Sequence, residues 1–242
     1  MVFCGIDLAA EPRHTGLAML RDHNGSLTVQ TAEQGVTDEA VIRAVREAEG
    51  TGVDVPIGWP QRFVEFVHEH AAATLQPPTS TDAAWRRGLA LRTTDVEIQR
   101  QTGLTPLSVS ANLIAYPAFR WAGIEAALRS YGVDMSRDGS GAVAEVYPAA
   151  ALYRWGLPHR RYKGAHNIEA RRQIVEAIPT IFGPFNWQGF DALALADDNV
   201  LDAIIAALVA HQIANGYCQG PPDQHRATAR VEGWIWIPRS QT

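Results

Sequence analysis

The stretch "DDNVLDAIIAALVAHQIANG", residues 197–216, is the longest and most apolar helical segment of the chain and limits what the rest can be. Its stripe of Leu201, Ile204, Ile205 and Leu208 needs an apolar partner surface, and the alanines beside it let a helix backbone come close to a sheet. Asp202 borders that stripe, which points its carboxylate at a sheet edge. A matching acid stands near the start of the chain. In "CGIDLAAEPR" a hydrophobic strand runs straight into Asp7, and a carboxylate at the end of a core strand is costly unless a cation or a structural partner meets it.

The first 60 residues supply a sheet for the helix to cover. Residues 2–9, 14–20 and 27–34 read as successive strands, with an Asn-Gly hairpin signal in "DHNGS" between the second and third. "TDEAVIRAVREAEG" then has a Thr37 cap, acids in its first turn, apolar Val41, Ile42 and Val45 at helical spacing, and Gly50 as a stop. "GVDVPIGWP" follows as a short buried strand, giving the order β-β-β-α-β. From 61 to about 140 the pattern is helical and irregular, and reads as an insertion or lid within one domain spanning 1–242. Beyond it, "AVAEVYP" reads as a strand, "AAALYRWG" and "NIEARRQIVEAI" as helices, and "EGWIWIP" as a terminal strand, either in the core or at the edge of a homodimer.

With 242 residues, 46% of them hydrophobic and 19% charged, the chain can bury a substantial core. Its net charge of -5 excludes a global attraction to polyanions, so nucleic-acid binding would need a local basic patch. No membrane partner is expected, because no apolar run approaches the ~20 residues that span a bilayer, and a cytoplasmic location follows as the default. Cys4 and Cys218, far apart and without paired spacing, read as core fillers rather than as a disulfide or a zinc site. Phosphate loops of the Walker type and the serine nucleophile elbow are absent.

The acids carry the chemistry. Asp7, Asp54, Glu145, Asp198 and Asp202 are scattered in sequence but similar in context, and Asp198 and Asp202 share a helix face. If the strand end bearing Asp7 lies beneath Asp202, three or four oxygens converge as Mg²⁺ or Mn²⁺ prefers. Asp54 divides evenly between ligand and turn former, whereas Asp197 reads as a helix cap. Basic residues offer the second half of a site: Arg92 beside Asp95 in "LRTTDVEIQRQTG", and Arg160, Arg161, Lys163, Arg171 and Arg172 around Tyr162 in "HRRYKGAHNIEARRQ". Such groups grip phosphate oxygens, or else form a solvated face, a reading with at least equal claim for Arg171 and Arg172.

The β-β-β-α-β order, "GIDLA" in the first strand and "DDNVLDAIIAA" in the late helix resemble the ribonuclease-H-like superfamily, including RuvC-type resolvases. More narrowly, "GIDLAAEPRHTGLA", "DVPIGWP", "LRTTD", "EVYPAAALYRWGL", "RYKG" and "LDAIIAAL" together resemble the predicted-nuclease family labelled domain of unknown function 429, over most of the chain. The resemblance implies a ribonuclease-H-like mixed sheet flanked by helices, with a helical insertion after the fourth strand. It implies metal-binding roles for Asp7 and Asp202, with Asp54 matching the fourth-strand acid, Glu145 a family-motif acid and Asp198 an additional helix position. Asn199 departs from the pattern, standing where related enzymes often place an acid.

The expected activity is metal-dependent hydrolysis of DNA or RNA, with Asp7, Asp54, Glu145 and Asp202 catalytic and Asp7, Asp54, Asp198 and Asp202 holding Mg²⁺ or Mn²⁺. Arg92 and Lys163 are expected on the substrate phosphate. The alternatives are a binding module that kept the fold without the catalysis, or a phosphoryl-transfer protein of the actin-like ATPase or sugar-kinase type.

Overall fold

The computed structural model describes residues 1–240. Its centre is a mixed sheet of eight strands: β1 (Val2–Asp7), β2 (Gly16–His23), β3 (Ser26–Gln34), β4 (Gly50–Asp54), β5 (Val143–Val146), β6 (Phe185–Asn186), β7 (Cys218–Gln219) and β8 (Ile235–Pro238), in the order β6-β3-β2-β1-β4-β5-β8-β7. The first three strands form an antiparallel meander, while β1, β4, β5 and β8 run parallel. Asn24 and Gly25 both have positive φ at the β2–β3 turn, the backbone that an Asn-Gly hairpin favours. The terminal strand β8 is bonded to β5 on one side and β7 on the other, with Ile235 and Ile237 buried, so it is an interior strand rather than a dimer edge.

Helix α1 (Asp38–Glu47) is capped by Thr37 Oγ1, which accepts from the Ala40 amide at 3.4 Å. It ends at Glu47, three residues before Gly50, which instead opens β4. Between β4 and β5 come α2 (Gln61–Ala71), α3 (Ala83–Ala90), α4 (Thr93–Thr102) and α5 (Ala115–Ser130). The chain continues through α6 (Pro148–Arg154), α7 (Ile168–Phe182), α8 (Asp191–Ala196), α9 (Asp198–Ala214) and α10 (Arg226–Glu232). The segment expected to be helical and irregular thus holds four helices.

The strands' period of two divides the core between the two faces of the sheet. Cys4, Ile6 and Val53 pack with Val41 and Val45 of α1 and with Ala118 and Trp121 of α5. Phe3 and Leu20 turn to the other face, against Ile204 and Leu208 of α9, Leu152 of α6 and Ile174 of α7. Helix α9 lies so close to the sheet that side chains have been removed beneath it. A Cβ on Gly5 would overlap the Ala203 carbonyl oxygen and the Ala207 nitrogen, one on Gly52 the Ala206 carbonyl, and one on Gly16 the Asn199 carbonyl. These glycines stand on β1, β4 and β2, so the helix axis crosses three neighbouring strands. Both cysteines are free and buried. No helix among the described residues is long and apolar enough to cross a membrane.

Candidate metal centre

Asp7 and Asp54 are direct register partners at the ends of parallel β1 and β4. Each lies two residues beyond a glycine that faces α9, Gly5 and Gly52, so both carboxylates emerge on the α9 side. Asp202 lies one helical turn before Ala206, the residue over Gly52, which brings it to the same end of the strands. The three residues each offer a carboxylate oxygen within 4.8 Å of the others. The acids that interrupt the two buried segments therefore meet, and Asp54 joins them.

Two side chains from the loop before α7 close the cluster. The Tyr162 hydroxyl donates to Asp202 Oδ1 at 2.9 Å, and the Lys163 ammonium stands 2.5 Å from Asp202 Oδ2. Arg171, fully buried on α7, holds that loop in place: its guanidinium donates to the carbonyls of Tyr162 and Gly164 and to Leu195 of α8, each at 2.8 Å. Arg171 is thus neither a phosphate ligand nor part of a solvated face, although Arg172 beside it is exposed. Sequence reasoning named Tyr162 without a role and missed the anchoring by Arg171. A basic residue on the inward side of the amphipathic helix, in step with Ile174 and Val175, was the signal available.

Charge is poorly balanced here. Burial, then repulsion from Asp202, Asp54 and Asp198, raises the Asp7 carboxyl well above its ordinary value against the pull of Lys163. Asp54 is pushed up to about 7, chiefly by burial and with Asp202 and Glu145 adding to it. Burial also raises Asp202 despite Lys163 and Tyr162. For Lys163, burial works against the charge, but the carboxylates of Asp202, Asp7 and Asp54 outweigh it and hold the ammonium above its ordinary value. One ammonium against three carboxylates leaves two negative charges when all are ionised. Hard oxygen donors at this spacing and a charge deficit of two fit a divalent cation such as Mg²⁺ or Mn²⁺.

Three of the expected site residues lie outside the cluster of three, although Glu145 and Arg92 line the same cavity. Glu145 pairs with Val53 in the sheet register, one residue away from Asp54, and so points to the opposite face. There both its oxygens are taken by Arg92 at 2.7 Å, and Oε2 also accepts from the Ile57 amide at 3.2 Å. Arg92 is held on its other side by Asp95, at 2.8 Å. With 1% of its side chain exposed, Arg92 locks the start of α4 to β5, and the bonds to Asp95, Glu145 and the Glu232 carbonyl leave its guanidinium no free donor for a phosphate. Burial opposes its charge, but Glu145 and Asp95 raise its pKa above the ordinary value. Asp198 begins α9 close enough to raise Asp7 and Asp202, yet lies outside the cluster of three. Asp197 is the helix cap, accepting from the amides of Asn199 and Val200.

A cavity of about 430 Å³ opens beside the cluster, and Asp54, Tyr162 and Lys163 are part of its wall. The model of the family described as "Protein of unknown function (DUF429)" matches residues 5–227, which takes in the cluster, the basic loop and α9. No curated protein and no solved structure was found to match.

Proposed function

The chain belongs to the DUF429 family of proteins of unknown function, and from that premise we propose that it is a metal-dependent nuclease cleaving phosphodiester bonds of DNA or RNA at the Asp7–Asp54–Asp202 cluster. The observation that carries this reading is the convergence of three carboxylates from β1, β4 and α9, against a single ammonium, at the wall of a cavity. The β-β-β-α-β run with an acid closing β1 and another facing it from the late helix supports a ribonuclease-H-like assignment of the sheet. Asp7, Asp54 and Asp202 would hold a divalent ion, which would supply Lewis-acid activation of water and neutralisation of charge on the phosphoryl group.

The chain's own residues do the rest. Tyr162 fixes the rotamer of Asp202 by occupying Oδ1, which leaves Oδ2 turned toward the site. Lys163, anchored through the loop that Arg171 pins, places a positive charge where a phosphate oxygen would approach.

The test is cleavage of labelled single- and double-stranded DNA and RNA with Mn²⁺ or Mg²⁺. Asp7→Asn and Asp202→Asn are expected to lower the rate at least a hundredfold while circular dichroism stays unchanged. Wild-type activity in either variant overturns the reading. One observation favours a second reading, a binding module without catalysis: Lys163 sits within the cluster itself and offsets part of the charge a metal would. On that reading Lys163→Met weakens nucleic-acid binding, and neither Mn²⁺ nor Mg²⁺ yields cleavage by the wild type.

A further inference from the structure

The wall of the 430 Å³ cavity is of two kinds. It carries charged Asp54, Lys163 and Arg161 together with the Arg92–Glu145 pair, and the apolar surfaces of Pro56, Leu107, Ile114 and the half-buried ring of Tyr147. The volume lies toward the lower end of the ~300–1,000 Å³ typical of sites that enclose a small ligand.

Arg161 adds a second observation. Its φ of 56° places a non-glycine residue in the left-handed region, an uncommon conformation that persists only when neighbours enforce it. The segment that follows it is held by Arg171, which grips the carbonyls on either side of Lys163. The turn sends Tyr162 inward to Asp202 and leaves Arg161 on the cavity wall, with no ion-pair or hydrogen-bond partner for its guanidinium among the described residues. A third feature lies roughly 7 Å along α5 from Ile114. Trp59 stacks on Phe119 at 5.8 Å, Tyr116 meets the edge of Phe119 at 6.4 Å, and both Tyr116 and Phe119 are exposed.

We propose that this cavity receives one unstacked nucleotide of a single-stranded nucleic acid, with the base against the apolar wall and the phosphate on Arg161 and Lys163. The inference rests on the nuclease reading for the fate of the phosphodiester, but not for binding. Bases of an intact duplex stay stacked and paired, so their rings cannot enter a cavity of this size, whereas a single strand delivers them without unpairing and at a smaller unstacking cost. Exposed aromatic faces together with an unpaired guanidinium are what sequence-tolerant single-strand binding uses, and the net charge of -5 gives duplex DNA no global attraction.

Fluorescence anisotropy in EDTA at fixed salt tests this with labelled oligothymidylate and oligouridylate, compared with the oligothymidylate–oligoadenylate duplex. At least one single strand should bind about tenfold or more tighter than the duplex. Leu107→Glu, at a 60% exposed position, and Arg161→Gly, which accepts the left-handed backbone, should each weaken that binding about tenfold, and Arg161→Lys should restore part of it. Equal binding of duplex, binding of no strand, or binding indifferent to both variants overturns the inference. So does displacement by thymidine monophosphate with the affinity of the oligonucleotide, which would identify a free nucleotide as the ligand. The two readings fail separately. Single-strand binding that follows the variants without cleavage in Mn²⁺ or Mg²⁺ sinks the nuclease and keeps the cavity assignment; equal cleavage of both substrates by wild type and variants does the reverse.

Discussion

Asp54 has a consequence that can be measured without any substrate. Its carboxyl is pushed from 3.8 to about 7, so between those values the folded protein keeps a proton that the unfolded chain has lost. Metal-free stability contributed by this group therefore falls as pH rises from about 4 to about 7 and levels off above, by at most about 1.4 kcal/mol per pH unit. Asp54→Asn cannot ionise there, so thermal melts in EDTA should show its stability relative to wild type improving across that window; a constant difference contradicts the assignment. Asp7 and Asp202 were legible in the sequence because each interrupts a segment that is otherwise buried. Glu145 and Arg92 were not, because an acid on a strand looks the same whether it faces a cation site or a guanidinium. What decides is the pairing of Val53 with Glu145, a contact between residues far apart in the chain.

At the scale of elements, α9 and the three strands beneath it place the site, and the close approach depends on glycine. Gly5→Ala puts a methyl group into the backbone of α9, as does Gly52→Ala, and each should cost about 1–3 kcal/mol in denaturant unfolding. Because the helix must lift or shift to make room, each should also weaken any response to Mn²⁺, although neither residue touches the cluster. Unchanged stability would mean that α9 does not pack as described. The meander, its Asn-Gly turn, α1, α9 and the final strand were readable from period and capping signals. The two-residue strands β6 and β7 are too short to carry an alternating pattern, and α4 starts without a conventional side-chain cap, its first turn being closed by Asp95 accepting from the Arg92 amide at 2.9 Å.

For the whole molecule, the sheet, the late helix and the pinned basic loop make one arrangement in which the negative charge of buried Asp202 and half-buried Asp7 and Asp54 is gathered at the rim of a cavity. A protein built to hold a divalent cation should be less stable without it than its packing allows, because binding to the folded state alone adds stability by linkage. The most direct test is a thermal-shift titration with Mn²⁺ and Mg²⁺ on the wild type and on Asp7→Asn. The account predicts a melting temperature that climbs with metal concentration in the wild type, and a variant that melts at or above the metal-free wild type with no response to either ion. A wild type indifferent to both ions, together with a variant less stable than it, would make Asp7 a structural acid and contradict the metal centre.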